Sequence, residues 1–295
     1  MTRVRPAALV AAALLVGAAC GGTDASSGAS GARAGPGSRA TDTDAPLIAT
    51  ADDRGSFSVP CPYSHTAGDD PIVHPGHAGL SHRHDFFGAT TTDAGSTAGS
   101  LLAGGTTCRS VADRSAYWSP QLRAGDTPVA PTEVVAYYRT PVGVDARAVE
   151  PLPNGLEMVA GDPYTEAEQD PAVVHWSCGK SGVPSPVPVR CPAPGASLGL
   201  WLTFAPCWDG TNLGSAGHYS HLAPVGTGGC PDSHPVVLPE VQVEVRYPTL
   251  PPGDLSLASG PLTGGHGDVL VAWAGDHMPS ETAICLRTNT RCDVS

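Results

Sequence analysis

Most of the histidines in this 295-residue chain fall in four short clusters: His74 and His77, His82 and His84 in SHRHDFFG, His218 and His221 in GHYSHLA, and His266 two residues before Asp268 in GGHGDVL. Histidine is the side chain that most readily ligates a transition metal or moves a proton near neutral pH, so chemistry is expected here. On a β-strand, residues two apart face one side with Cα atoms roughly 6.5–7 Å apart. His82 and His84 would then face one ion, and His266 and Asp268 have the same spacing. His218 and His221, three apart, would share a face on a helical turn. Brought together, His82, His84, His218, His221 and His266 would make a nitrogen-rich site with Asp268 as an oxygen ligand. That donor set suits a divalent transition metal, with zinc or copper as the leading expectation and nickel or iron also fitting by ligand type. Without metal, the same residues would act as acid/base groups or sugar contacts. The plainest alternative is that they hydrogen-bond to loop backbone.

Other catalytic readings are weaker. Gly195-Ala-Ser197-Leu-Gly199 has the G-x-S-x-G spacing, but a proline-rich loop precedes it and a strand is expected after it, whereas a nucleophile elbow needs strand, turn and helix in that order. GSTAGSLLAGGTT lacks the lysine of a phosphate-binding loop and reads as turns. Asp69, Asp70, Asp85, Asp209 and Asp268 include candidates for a glycosidase pair, which only their separation in space would decide. Asp69-Asp70-Pro71 also reads as a turn cap. Trp118 and Trp208 lie beside the polar clusters and would stack on a sugar, while Trp201 and Trp273 are expected in the core.

These clusters must be held by strands. Val241 to Tyr247 alternates apolar and polar residues, placing its valines on one face and Gln242, Glu244 and Arg246 on the other. Val134 to Arg139, Val173 to Trp176, Leu198 to Phe204 and Val269 to Trp273 are further strand candidates. No segment keeps a helical period. With 36 Gly and 30 Pro between short apolar runs, the expected class is all-β or β-rich, a β-sandwich-like single domain with long irregular loops. Eight cysteines beyond Cys20 imply disulfides, with neighbours pairing: Cys61–Cys108, Cys178–Cys191, Cys207–Cys230 and Cys285–Cys292. There is no C-x-x-C, so neither a zinc ribbon nor a thioredoxin-like site is indicated.

The first twenty residues read as an export signal, with Arg3 and Arg5, an apolar run from Ala7 to Val16 and small residues before Cys20. The run is too short to span a membrane. A cysteine directly after small residues resembles a bacterial lipoprotein signal, which makes Cys20 the expected lipidation site. Residues 21–45 are almost devoid of apolar side chains and read as a disordered tether. Residues 46–295 then form one domain, exported and lipid-anchored on the outer face of the cell membrane, or secreted. The formal net charge is −12 and the only lysine is Lys180, so nucleic acid is not an expected partner. The membrane would be reached only through the lipid anchor.

The ordered motifs from Cys61 to Gly76, Ser81 to Gly88, Ser96 to Cys108, Asp113 to Pro120, Cys207 to His221, Cys230 to Pro239 and Ser259 to Trp273 together resemble the domain-of-unknown-function family numbered nineteen ninety-six, over about residues 58–292. That family occurs in secreted fungal proteins and in actinobacteria. The resemblance implies no established reaction. Its fungal members can carry cell-wall or carbohydrate-binding modules, which implies polysaccharide as the partner. Carried over onto this sequence, the family motifs mark His82, His84, His218, His221, His234, His266 and Asp268. The resulting expectation is a carbohydrate-active protein, a hydrolase or lyase on extracellular or cell-wall glycan. His82, His84, His221, His266 and Asp268 would be catalytic, and Trp118, Trp208, Asp209 and His234 would bind substrate. The alternative is a non-catalytic surface module that binds metal or glycan.

Overall fold

The computed structural model describes residues 46–180, 182–192, 196–248 and 250–293. The export signal, Cys20, the tether and Gly195 of the G-x-S-x-G spacing lie outside these residues. The described strands are β1 (Ser56–Ala67), β2 (His84–Gly88), β3 (Ala116–Pro120), β4 (Leu122–Ala124), β5 (Thr127–Pro128), β6 (Glu133–Arg139), β7 (Glu157–Gly161) and β8 (Val174–Cys178). They continue with β9 (Leu198–Thr203), β10 (Cys207–Trp208), β11 (Leu222–Ala223), β12 (Val236–Val237), β13 (Glu240–Tyr247), β14 (Leu255–Leu257) and β15 (His266–Leu270). Among the described residues helix is confined to short pieces, of which α1 (Ala98–Ala103) is capped reciprocally by Thr97 and Ser100.

Nine strands form one antiparallel sheet in the order β7-β15-β3-β2-β1-β6-β13-β9-β8. The long strand β1 joins its two halves. Residues Ser56 to Pro62 pair with β6, and after an irregularity between Tyr63 and His65 the strand pairs with β2 as far as Ala67. The bulge lets one strand serve both halves. Their inner faces pack on a common core that takes Val134, Ala136, Leu200, Leu202, Val243 and Val245 from one half, and Phe87, Tyr117, Met158, Ala160 and Val269 from the other. The β-rich, sandwich-like expectation therefore holds, with the two layers continuous through β1.

Alternation in β13 buries Val241, Val243 and Val245, as expected from the sequence, and turns Gln242 and Arg246 outward. Strands β2, β3 and β15 are buried on both faces, because Ile72 and, from α1, Leu101 pack over their outer side. There Ile72, Leu101, Phe86, Trp118 and Leu270 make a second, smaller core. All four neighbour disulfides are present: Cys61–Cys108, Cys178–Cys191, Cys207–Cys230 and Cys285–Cys292. Such bonds persist in an oxidising compartment, consistent with a secreted or extracellular protein. Among the described residues, no helix is long and apolar enough to cross a membrane.

Candidate metal centre

Strand register builds the site. His84 and Phe86 of β2 lie on the outer face, Phe86 sits opposite Trp118 of β3, and Trp118 sits opposite Asp268 of β15. Because side chains alternate, His84, Trp118, His266 and Asp268 share that face. Gly267, between His266 and Asp268, points inward, where a Cβ would collide with the Leu202 side chain and the Trp118 carbonyl. Opposite His266, Gly161 of β7 has a φ of 87°. That left-handed conformation favours glycine.

His82, just before β2, folds over this face. Its Nε2 is 3.1 Å from Nε2 of His266, and its ring centroid is 4.2 Å from that of His84. The ligand atoms of His82, His84 and His266 all lie within 4.8 Å of one another, as do those of Asp70, His84 and Asp268. His84 thus joins a three-histidine group to a pair of carboxylates. Two nitrogens bound tetrahedrally to one zinc ion at about 2.0–2.1 Å would stand roughly 3.3 Å apart, close to the His82–His266 separation.

The tautomers are set by backbone. His84 Nδ1–H donates to the Asp69 carbonyl at 3.0 Å, and His266 Nδ1–H donates to the Gly264 carbonyl at 2.9 Å. A carbonyl only accepts, so each Nε2 presents its lone pair to the cluster. This is the arrangement that orients metal-bound imidazoles. Nε2 of His84 and Oδ1 of Asp268 are buried with no hydrogen-bond partner in the protein. Orphaned polar atoms of this kind call for an explanation, and an ion is one. Oδ1 of Asp70 accepts from the Ile72 and Val73 amides, which holds the turn in place.

Electrostatics favour neutral ligands. Burial, and then the charge of His74, lowers the His82 pKa to about 4. Burial also lowers His266 to about 4, and His84 is driven well below its ordinary value by burial and then by His82 and His266. Burial raises Asp70, and it raises Asp268 well above the carboxylate range with Asp70 adding to the effect. The Trp118 indole lowers Asp70 slightly, although its N–H makes no regular hydrogen bond. Neutral imidazole is the form that binds metal, and a divalent cation would reverse the penalty on the two carboxylates.

The cluster opens on a cleft of about 630 Å³ lined by His74, His82, Tyr164, His218, Tyr219 and Asp268, among others. Tyr164 is 78% exposed and Tyr219 is 49% exposed, so both rings are available to a ligand. Asp70 was expected only as a glycosidase-pair candidate or turn cap and His74 only as part of the first histidine cluster, and Tyr164 and Tyr219 were not singled out by sequence. Tyr219 lies inside the GHYSH cluster, which was a usable signal; Tyr164 had none.

Other expected site residues lie elsewhere. His218 lines the cleft but stands outside the three-histidine group, and it sits in a turn with φ 63° rather than on a helix. His221 is not available as a ligand, because Nε2–H donates to the Glu157 carbonyl at 2.7 Å and Nδ1 accepts from the Ser215 hydroxyl at 3.0 Å. Trp118 is only 2% exposed and packs in the outer core, so it cannot stack on a sugar. Trp208 is half-buried against the main core and donates to the Asn212 carbonyl. Asp209 caps the same loop through the Thr211 and Asn212 amides. His234 is tied to the Ser220 carbonyl and Ser233. Neither Trp208, Asp209 nor His234 lines the cleft. Two further cysteine-containing groups, Cys61/Cys108/Asp113 and Glu281/Cys285/Cys292, owe their sulfurs to disulfides and are not thiolate sites.

No curated protein and no solved structure matches the chain. A family model does match, over residues 70–273, a span that begins at Asp70 and contains His82, His84, His266 and Asp268. The chain belongs to the family described as a domain of unknown function, DUF1996.

Proposed function

We propose that this is an exported protein, anchored by a lipid on Cys20, that binds a zinc or copper ion through His82, His84 and His266 and acts on an extracellular or cell-wall polysaccharide as a hydrolase or lyase. The observation that carries the reading is the convergence of three imidazoles, two with tautomers fixed by backbone carbonyls, at the wall of an open cleft. A bound divalent ion would supply Lewis-acid polarisation of a substrate oxygen. The chain's own part is to exclude water on the Asp70–Asp268 side, which is buried, and to seat sugar rings against Tyr164 and Tyr219. His74 and His218 line the same cleft outside the ligand group and, in this reading, would move a proton.

The grouping of Asp70 and Asp268 with His84 supports a second reading. If both carboxylates also ligate, the ion keeps no open position, as in structural sites. The cleft would then hold glycan without transforming it.

The test is metal content by mass spectrometry on protein purified with its disulfides intact, beside a His82→Ala/His266→Ala variant, followed by turnover and binding on a panel of cell-wall glycans. One equivalent of metal lost in the variant, with metal-dependent turnover, is expected. Metal and glycan binding without turnover would favour the second reading. No metal in either protein after incubation with zinc and copper would overturn both.

A further inference from the structure

A second pocket lies on the outer face of the other half of the sheet, away from the histidine cluster. Arg54, Arg139, Lys180 and Arg291 line its volume of about 350 Å³. The chain has sixteen Lys and Arg residues and a net charge of −12, so four cations in one pocket, including the only lysine, is a concentration of positive charge against the overall balance. Among the described residues, no carboxylate lines the pocket.

Two acids nearby are already engaged. Glu240 pairs with Arg54 at 2.8 Å, and Glu244 pairs with Arg246 at 2.7 Å while accepting from the Tyr137 hydroxyl. Arg139 is 8% exposed. Its side-chain hydrogen bond goes to a neutral acceptor, Oε1 of Gln242, at 2.6 Å, and it takes part in none of the ion pairs among the described residues. A guanidinium offers five N–H donors, and although Glu240, cross-strand from Arg139 on β13, favours its charge, that carboxylate pairs with Arg54 and makes no ion pair to Arg139.

Aromatic rings form the floor. Trp201 stacks between His175 and Tyr137, with centroids at 6.0 Å and 5.8 Å. The Arg139 guanidinium lies 4.7 Å, and the Lys180 ammonium 5.7 Å, from the centroid of Tyr137. Lys180 and Arg291 stand exposed at the rim, and Arg291 donates to the Asp52 carbonyl. The Lys180 pKa is lowered by burial and then by Arg139, Arg291 and Arg54, with Glu244 opposing the shift.

We propose that this pocket is an anion site for a phosphate group, gripped by the buried Arg139 and closed at the rim by Lys180 and Arg291. Guanidinium forks match phosphate oxygens in pairs, and lysine adds a point charge. The volume leaves room for a small group esterified to the phosphate, so the ligand is either free phosphate or a sugar phosphomonoester. The site is independent of the metal reading, since it shares no residue with that cleft.

The test is calorimetric titration of the purified protein, at low ionic strength, with inorganic phosphate, glucose 6-phosphate and glucuronate. Saturable one-to-one binding of phosphate is expected, weakening at physiological ionic strength as exposed charges are screened. Tighter binding of glucose 6-phosphate would assign the phosphomonoester, and equal binding would assign the free ion. Lys180→Ala/Arg291→Ala, confined to exposed side chains, should cut affinity by about tenfold, with melting unchanged. Arg139→Gln should remove binding, with its fold checked by circular dichroism. Three results would overturn the proposal: no saturable binding to the unmodified protein, unchanged affinity in the rim variant, or glucuronate binding as tightly as phosphate.

Discussion

Two histidine-rich regions of this protein look alike in sequence and differ in what their nitrogens do. In the strand-borne region, His84 and His266 each spend Nδ1 on a backbone carbonyl and direct Nε2 at a shared point with His82. In the loop-borne region, His221 and His234 have both nitrogens occupied, one by a carbonyl and one by a serine hydroxyl. Histidine density therefore does not mark a site by itself. A site needs nitrogens that meet one another with no backbone partner between them; His84 Nε2 is left without a partner beside the His82–His266 contact, whereas the buried, unpartnered nitrogen of the loop-borne region, Nδ1 of His218, stands outside the three-histidine group.

Breaking the comparison at its strong end gives the largest expected effect. His266→Ala should lower metal affinity by at least about 100-fold, beyond what loss of an outer partner costs, read as metal retained after dialysis against a weak chelator. Retention of one equivalent would show that the three nitrogens do not act together.

The same contrast holds between two buried acids. Asp268 leaves an oxygen without a partner, whereas Asp113 accepts from the Ser115 amide and the Tyr117 hydroxyl, which also bonds to Tyr138. Burial still raises the Asp113 pKa from 3.8 to about 6, its hydrogen bonds opposing the rise. The folded state then holds this proton more tightly than the unfolded chain. The stability gained from it is fully present below about pH 4 and lost as pH rises to about 6, a change of order ~3 kcal/mol. In Asp113→Asn, that segment of the stability–pH curve should flatten, as measured by denaturant melts at a series of pH values. An unchanged slope would assign the pH dependence to other groups.

At the loop-borne end, His221→Ala removes two hydrogen bonds beneath β7 and should cost about 2 kcal/mol of stability while leaving metal stoichiometry untouched. Loss of metal in this variant would erase the distinction between the regions. The smallest effect is expected at His234, on an exposed loop: His234→Ala should change stability by less than about 1 kcal/mol and leave glycan binding as it was, by affinity electrophoresis.

Much of the framework was legible because it is local. Cysteines pair with sequence neighbours, β13 shows its alternation because only one of its faces meets the core, and the short spacing of His82 and His84 keeps their rings close although His82 precedes β2 and folds over its face. Strands β2 and β3 gave no alternation to read because both faces are buried. For the same reason Trp118, beside a polar cluster in sequence, is a core residue.

By itself, the sequence determined the residue types able to ligate a metal, the disulfide neighbours, the β-rich class and the acidic balance, all set by composition and short spacing. Only the tertiary structure decided which histidines meet. His82 and His266 are 184 positions apart, and their contact depends on β15 pairing with β3 and β3 with β2 in one register. A shift of one residue would turn every side chain of a strand to the other face. Sheet register, fixed by long-range packing, is what separates His266 from His221.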